Sequence, residues 1–128
     1  MSVQQVASVA KQLTQEQVQR YADATGDHNL IHIDEAFARA TPFGGTIAHG
    51  MLVLALVSEM MAAAFGEAWL TGGRLRVRFK APARPGDTIT ASAQPQGPRD
   101  GVAPYAIEVR NQRDEVLISG TTEVPADG

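Results

Sequence analysis

The stretch from about Ile47 to Phe65 reads as one helix, and its run Met51-Leu52-Val53-Leu54-Ala55-Leu56-Val57 leaves no polar face. A helix that is apolar all round has to be wrapped by the rest of the fold. The C-terminal half of the chain can do the wrapping. After Gly73 the period of the sequence falls to two: Leu75, Val77 and Phe79 alternate with Arg74, Arg76, Arg78 and Lys80. Ile89, Ala91 and Ala93, then Tyr105, Ile107 and Val109, then Val116, Ile118, Gly120 and Val124 repeat the pattern. Runs with one apolar face are antiparallel strands with one wet side. The expectation is an α+β fold, a curved antiparallel sheet wrapped around a long central apolar helix. Val6 to Leu13 adds a further candidate strand. Ala81 to Asp87 and Pro95 to Pro104 read as loops, and Asn111-Gln112-Arg113-Asp114 as a hairpin connection.

The 128 residues show no linker or repeat, so residues 1–128 are expected to form a single domain. The formal net charge of −3 argues against a nucleic-acid partner, which needs a basic surface. Without cysteine there is neither a thiolate metal site nor a cysteine nucleophile. No charged-then-apolar leader opens the chain, and the longest apolar run is far too short to span a bilayer. A cytoplasmic protein with no membrane partner is the expectation.

Polar side chains gather between Gly26 and Gly50. Thr14-Gln15-Glu16-Gln17 fits a capping box that starts a first helix, and Gly26 suits its end. Asp27 therefore begins an irregular segment, Gly26-Asp27-His28-Asn29-Leu30-Ile31-His32-Ile33-Asp34, and a short helix runs on from about Asp34 to Arg39. A carboxylate and an imidazole brought together by that excursion, Asp27 and His32, can hold a water and pass protons near neutral pH. His49 and Gly50 fall in the first turn of the long helix. Free N–H groups there favour negative charge on a ligand oxygen, and glycine admits a close approach. Plainer roles fit the same residues. Asp27 suits a turn or a cap, His32 a satisfied core histidine, and Ser58 a bond to its own helix backbone. The Arg74/Arg76/Arg78/Lys80 stripe suits a solvated sheet face or, alternatively, a phosphate contact. His28, His32, Asp34 and His49 could in principle ligate a metal, but no tight ligand pair of the His-Glu-x-x-His kind exists, so no metal is expected. There is no Gly-x-Ser-x-Gly elbow, and Gly44-Gly45 lacks the rest of a phosphate-binding loop.

Gly26-Asp27-x-Asn29-x-x-His32-x-Asp34, followed by Ile47-Ala48-His49-Gly50-Met51, resembles the MaoC-like, (R)-specific enoyl-CoA hydratase family. Phe79-Lys80-x-Pro82 and Pro85-Gly86-Asp87 extend the likeness, which runs from about Leu13 to Val124. The resemblance implies the hot-dog fold. It also implies catalysis by Asp27 and His32, a loop braced by Asn29, and a thioester oxygen held by the Gly50 N–H. His49 and Ser58 would be positioning residues, Ser58 because some members place a serine near the pair. The family often has proline where this chain has Leu30.

The activity implied is interconversion of trans-2-enoyl and (R)-3-hydroxyacyl thioesters by acid–base catalysis. No cofactor is needed, because the acyl-CoA or acyl carrier protein thioester is itself the substrate. Lys80 and Arg84, beside the Ala81 to Asp87 loop, are the candidates for CoA phosphates. A homodimer or higher homo-oligomer is implied as well. Two rival functions share the fold: a hot-dog acyl-CoA thioesterase and a non-catalytic acyl-thioester binding subunit.

Overall fold

The long helix, α4 (Gly50–Phe65), buries Val53, Leu54, Leu56, Val57, Met60 and Met61. Each is worth roughly 1.5–3 kcal/mol relative to exposure, so this face alone supplies a large share of the stability. The computed structural model describes residues 4–126. In chain order β1 (Val9–Gln12) is followed by α1 (Gln15–Thr25), α2 (Leu30–Ile33), α3 (Glu35–Arg39), α4, α5 (Glu67–Gly72), β2 (Arg74–Phe79), β3 (Thr88–Pro95), β4 (Val102–Arg110) and β5 (Val116–Pro125). The strands form one antiparallel sheet in the order β1-β3-β4-β5-β2. Ile89, Ala91, Ile107, Val109, Ile118 and Val124 face α4 across the core. The expected α+β sheet around a helix is therefore present.

Several boundaries differ from expectation. The long helix starts at Gly50, not near Ile47. Residues before it are held extended by main-chain bonds: Ile47 N–H donates to the Ile31 carbonyl (3.2 Å) and Ala48 N–H to the Ala83 carbonyl (2.8 Å). His49 is thus the N-cap residue, outside the first turn. The segment read as irregular after Asp27 contains a helical turn, α2, because the Asn29 side chain accepts from the Ile31 N–H at 3.1 Å and caps it. Pro95 and Pro104 lie in strands, which shortens the loop between β3 and β4.

The helix is also not wrapped on all sides. Met51, Ala55, Ser58 and Glu59 are exposed, at the spacing of one helix face. Five strands cover the opposite side and cannot reach round. Strand β2 shows the same shortfall. Its inward residues Leu75 and Phe79 are 41% and 54% exposed, because β2 is an edge strand lying beyond the cover of α4. Among the described residues no helix is long and apolar enough to cross a membrane.

Candidate active site

Helix α1 ends as its sequence dictates. Thr14 and Gln17 form the reciprocal capping box at its start, and Gly26 closes it in the left-handed conformation, φ 80. The reversal delivers Asp27 to the surface, where its carboxylate accepts from the Asn29 N–H (3.3 Å) in a local turn. Asn29 in turn caps α2, which carries His32 one turn on. Asn29 thereby ties the Asp27 end of the excursion to the His32 end.

His32 is half-buried, and its Nδ1 lies 2.8 Å from the Ile47 carbonyl oxygen. A carbonyl can only accept, so Nδ1 carries the hydrogen and Nε2 is left free for proton exchange. His49 is 3% exposed. Its Nε2 lies 3.0 Å from the Asp27 main-chain carbonyl, which by the same logic fixes the hydrogen on Nε2. Its ring stacks on His32 with centroids 3.8 Å apart, and Tyr21 packs on it at 4.8 Å. The cost of this arrangement is visible: His49 Nδ1 is buried with no partner. An unsatisfied buried acceptor costs about 1–3 kcal/mol, so His49 holds Asp27 against a penalty of its own.

An oxygen of Asp27 and one ring nitrogen each of His32 and His49 lie within 4.8 Å of one another. The donor set that comes together is therefore not the one weighed from sequence. Asp34 is occupied capping α3, and His28 lies on the surface beside Asp23 at 2.9 Å. That His28 bond, helped by Gln19, holds the Asp23 carboxyl below the usual range. A carboxylate oxygen and an imidazole nitrogen this close can share one hydrogen-bonded water.

Beside this group the start of α4 is open. The Leu52 and Val53 N–H groups close back on the His49 carbonyl, at 3.0 and 3.2 Å. Those of Gly50 and Met51 have no acceptor among the described residues, and the His49 side chain does not cap them. A mostly apolar cavity of about 320 Å³ opens at Gly50, with Val53 and Ile118 in its lining and Phe43, Phe79 and Lys80 at its rim. Phe79 lies so close that a Cβ on Gly50 would meet its ring at 3.0 Å. Lys80 lines this cavity and Arg84 does not. Arg84 lines a neighbouring hollow of about 340 Å³ with Gln15, Glu35 and Gly45.

Ser58 is placed away from the residues that gather around Asp27. It accepts a 3.0 Å hydrogen bond from the Trp69 indole and bonds neither Asp27, His32 nor its own helix backbone. Sequence reasoning missed the Ile47 carbonyl, which has no side-chain signature, and it read Phe79 as one more core residue of an alternating strand.

Known proteins share this sequence pattern and fold. Residues 3–116 match the sequence model of the family described as MaoC like domain. The chain is 40% identical over 116 residues to 3-hydroxyacyl-thioester dehydratase Z of Mycobacterium tuberculosis, an alignment covering 88% of this chain and 72% of that protein. It is 32% identical over 118 residues to the 3-hydroxybutyryl-CoA dehydratase of Methylorubrum extorquens, covering 92% and 71%. Among solved structures, the (R)-hydratase from A. caviae involved in PHA biosynthesis superposes with a TM-score of 0.83 at 26% identity, covering 99% of this chain and 98% of that one. With the family match spanning nearly the whole sequence, the chain belongs to the MaoC-like domain family.

Proposed function

We propose that the protein is a hydratase/dehydratase that interconverts trans-2-enoyl thioesters and (R)-3-hydroxyacyl thioesters in the cytoplasm. The observation that carries this reading is the meeting of Asp27 and His32 beside the unpaired N–H groups that begin α4. The thioester carbonyl would accept from the Gly50 N–H, which stabilises the negative charge that develops on its oxygen. Asp27 and His32 Nε2 would hold a water. One takes its proton as the oxygen attacks the β carbon, and a proton is returned to the α carbon. Dehydration runs the same path backward. The steps add the water oxygen to the β carbon and a proton to the α carbon with no net oxidation or reduction, so they call for no redox cofactor, and the CoA or carrier thioester is the substrate's own handle. Asn29 and His49 position the pair, and Lys80 at the cavity rim and Arg84 behind it are candidates for the CoA phosphates.

The proposed working form is a homodimer. The edge of β2, the exposed Leu75 and Phe79, and the open face of α4 with Met51 present unpaired backbone and apolar surface that a second copy would cover. Sedimentation as a monomer at micromolar concentration would refute this.

The test of the activity uses Asp27→Asn, His32→Ala and the double variant with a short enoyl-CoA. Each single change is expected to lower kcat by on the order of 10² to 10⁴. The double should lose little more, because either change disables the same unit. The product should be the (R)-3-hydroxyacyl thioester; release of free CoA would point to a thioesterase instead. A folded Asp27→Asn variant that keeps most of its hydratase rate would overturn the mechanism.

A further inference from the structure

The face of the sheet turned away from α4 carries an unbalanced row of positive charge. Strand β2 presents Arg74, Arg76 and Arg78 there, all exposed and about 7 Å apart along the strand. Strand register shows what lies beside them. They stand opposite Glu123, Thr121 and Ser119 of β5, and those residues stand opposite Pro104, Ala106 and Glu108 of β4. Two carboxylates are within the neighbourhood, and both are taken: Glu123 lies 3.6 Å from Arg99 and Glu108 lies 3.0 Å from Arg110. Arg74, Arg76 and Arg78 pair with no carboxylate among the described residues. Arg99, paired with Glu123, lines a hollow of about 520 Å³ with Arg74 and Arg76. A smaller hollow of about 200 Å³ lies along Arg76, Arg78, Ser119 and Thr121. All this sits on a chain whose net charge is −3. Like charges in a row repel, and pairing of β2 with its copy would set two such rows side by side.

We propose that this stripe is the docking surface for an acidic carrier protein that holds the acyl group on a phosphopantetheine arm. The proposal deepens the hydratase reading and rests on it for the destination of the arm. The stripe is exposed along its length, and from Arg74 to Arg78 it runs about 13 Å, which suits a row of carboxylates on a protein surface rather than one nucleotide. It also points at the site. Arg78 is followed by Phe79, whose ring lies against Gly50, and by Lys80 at the cavity rim. A carrier lying along β2 would deliver its arm at that end.

The experiment compares an enoyl-acyl carrier protein with the matching enoyl-CoA, using wild type, R74E/R76E/R78E and the milder R74Q/R76Q/R78Q, each checked by a melting curve and by its oligomeric state. Electrostatic steering raises association by 10- to 10³-fold, so the reversal variant should lose on the order of 10- to 100-fold in kcat/KM with the carrier substrate. With the CoA substrate it should stay within about twofold. Calorimetric binding of holo acyl carrier protein, at low and raised salt, reads docking without turnover and should weaken in both variants. Unchanged carrier binding in folded variants overturns the proposal. An equal or larger loss with the CoA substrate also overturns it, and would assign the stripe to the nucleotide phosphates. If neither thioester is turned over, the hydratase reading fails on its own account, while the calorimetry still decides the docking surface.

Discussion

Gly50 offers a way to remove one hydrogen-bond donor while the helix is kept. It is the first residue of α4, and its N–H has no acceptor among the described residues. Proline is well tolerated at that position, because a helix makes no use of the missing N–H. His49, at φ −60 and ψ 136, already has the extended backbone that proline demands of its predecessor. Gly50→Pro therefore deletes the N–H and keeps the helix. It also introduces a Cβ 3.0 Å from Phe79 Cε1, and Gly50→Ala introduces the same Cβ with the N–H retained. Phe79 is 54% exposed, so its ring can yield by the few tenths of an ångström required. Either change removes unfolded-chain freedom worth about 0.4–1 kcal/mol, which offsets that shift. Both melting temperatures should stay within roughly 4 °C of the parent. Activity should separate them. Losing one oxyanion donor costs about 10² to 10³ in kcat, or roughly 3–4 kcal/mol of barrier. Gly50→Ala should lose about tenfold at most, through displacement of Phe79, and Gly50→Pro a further 10² to 10³. The assay is the initial rate of hydration of a short enoyl-CoA, followed by loss of the conjugated absorbance. A folded Gly50→Pro enzyme within about fivefold of Gly50→Ala would show that the carbonyl is held elsewhere.

Leu30→Pro should be accepted and slightly stabilising, by up to about 1 kcal/mol, with turnover preserved: Leu30 opens α2, and Asn29 before it has φ −57 and ψ 131. A drop in melting temperature or a collapse in kcat would show that the side chain of Leu30 matters to the loop. Ser58→Ala should leave turnover nearly unchanged and lower stability by about 1–3 kcal/mol, since it strands the indole N–H of Trp69, which is 8% exposed. A large kcat loss with an unaltered melting curve would return Ser58 to a positioning role. Replacing Lys80 and Arg84 together should raise KM for a CoA substrate with kcat much less changed, and raised salt should act alike. An unmoved KM would place the phosphates elsewhere.

What the sequence made legible was whatever is written in local chemistry. The capping box at Thr14 and Gln17, the left-handed stop at Gly26 and the cap at Asp34 announce themselves, because each is a side chain or a glycine satisfying a nearby backbone demand. The period-two runs announced the strands in the same way. Less legible was whatever depends on distant backbone. The start of α4 was misplaced because residues 47 and 48 are held extended by the carbonyls of Ile31 and Ala83, contacts that no pattern within the segment encodes. The apolar run of α4 is more extensive than one small sheet can cover, and apolarity says that a residue will be covered but not by which chain. Met51, Leu75 and Phe79 are apolar and exposed in a single copy. Only the resemblance set Ser58 near the Asp27–His32 group, and Trp69, eleven positions on, donates to its oxygen instead.

The two imidazoles of the site owe their proton placement to main-chain carbonyls, those of residues 27 and 47. Every residue type supplies such a carbonyl. The tautomers of His32 and His49 are therefore robust to substitution at the positions that set them. An Ile47→Val or Asp27→Asn exchange rewrites the side chain and leaves the hydrogen where it was. For an experimenter, a rate lost on changing Asp27 measures the missing carboxylate and not a turned ring. For a diverging lineage, the residues around the site are free to drift in search of new acyl groups while the proton inventory of its histidines stays fixed by the course of the backbone.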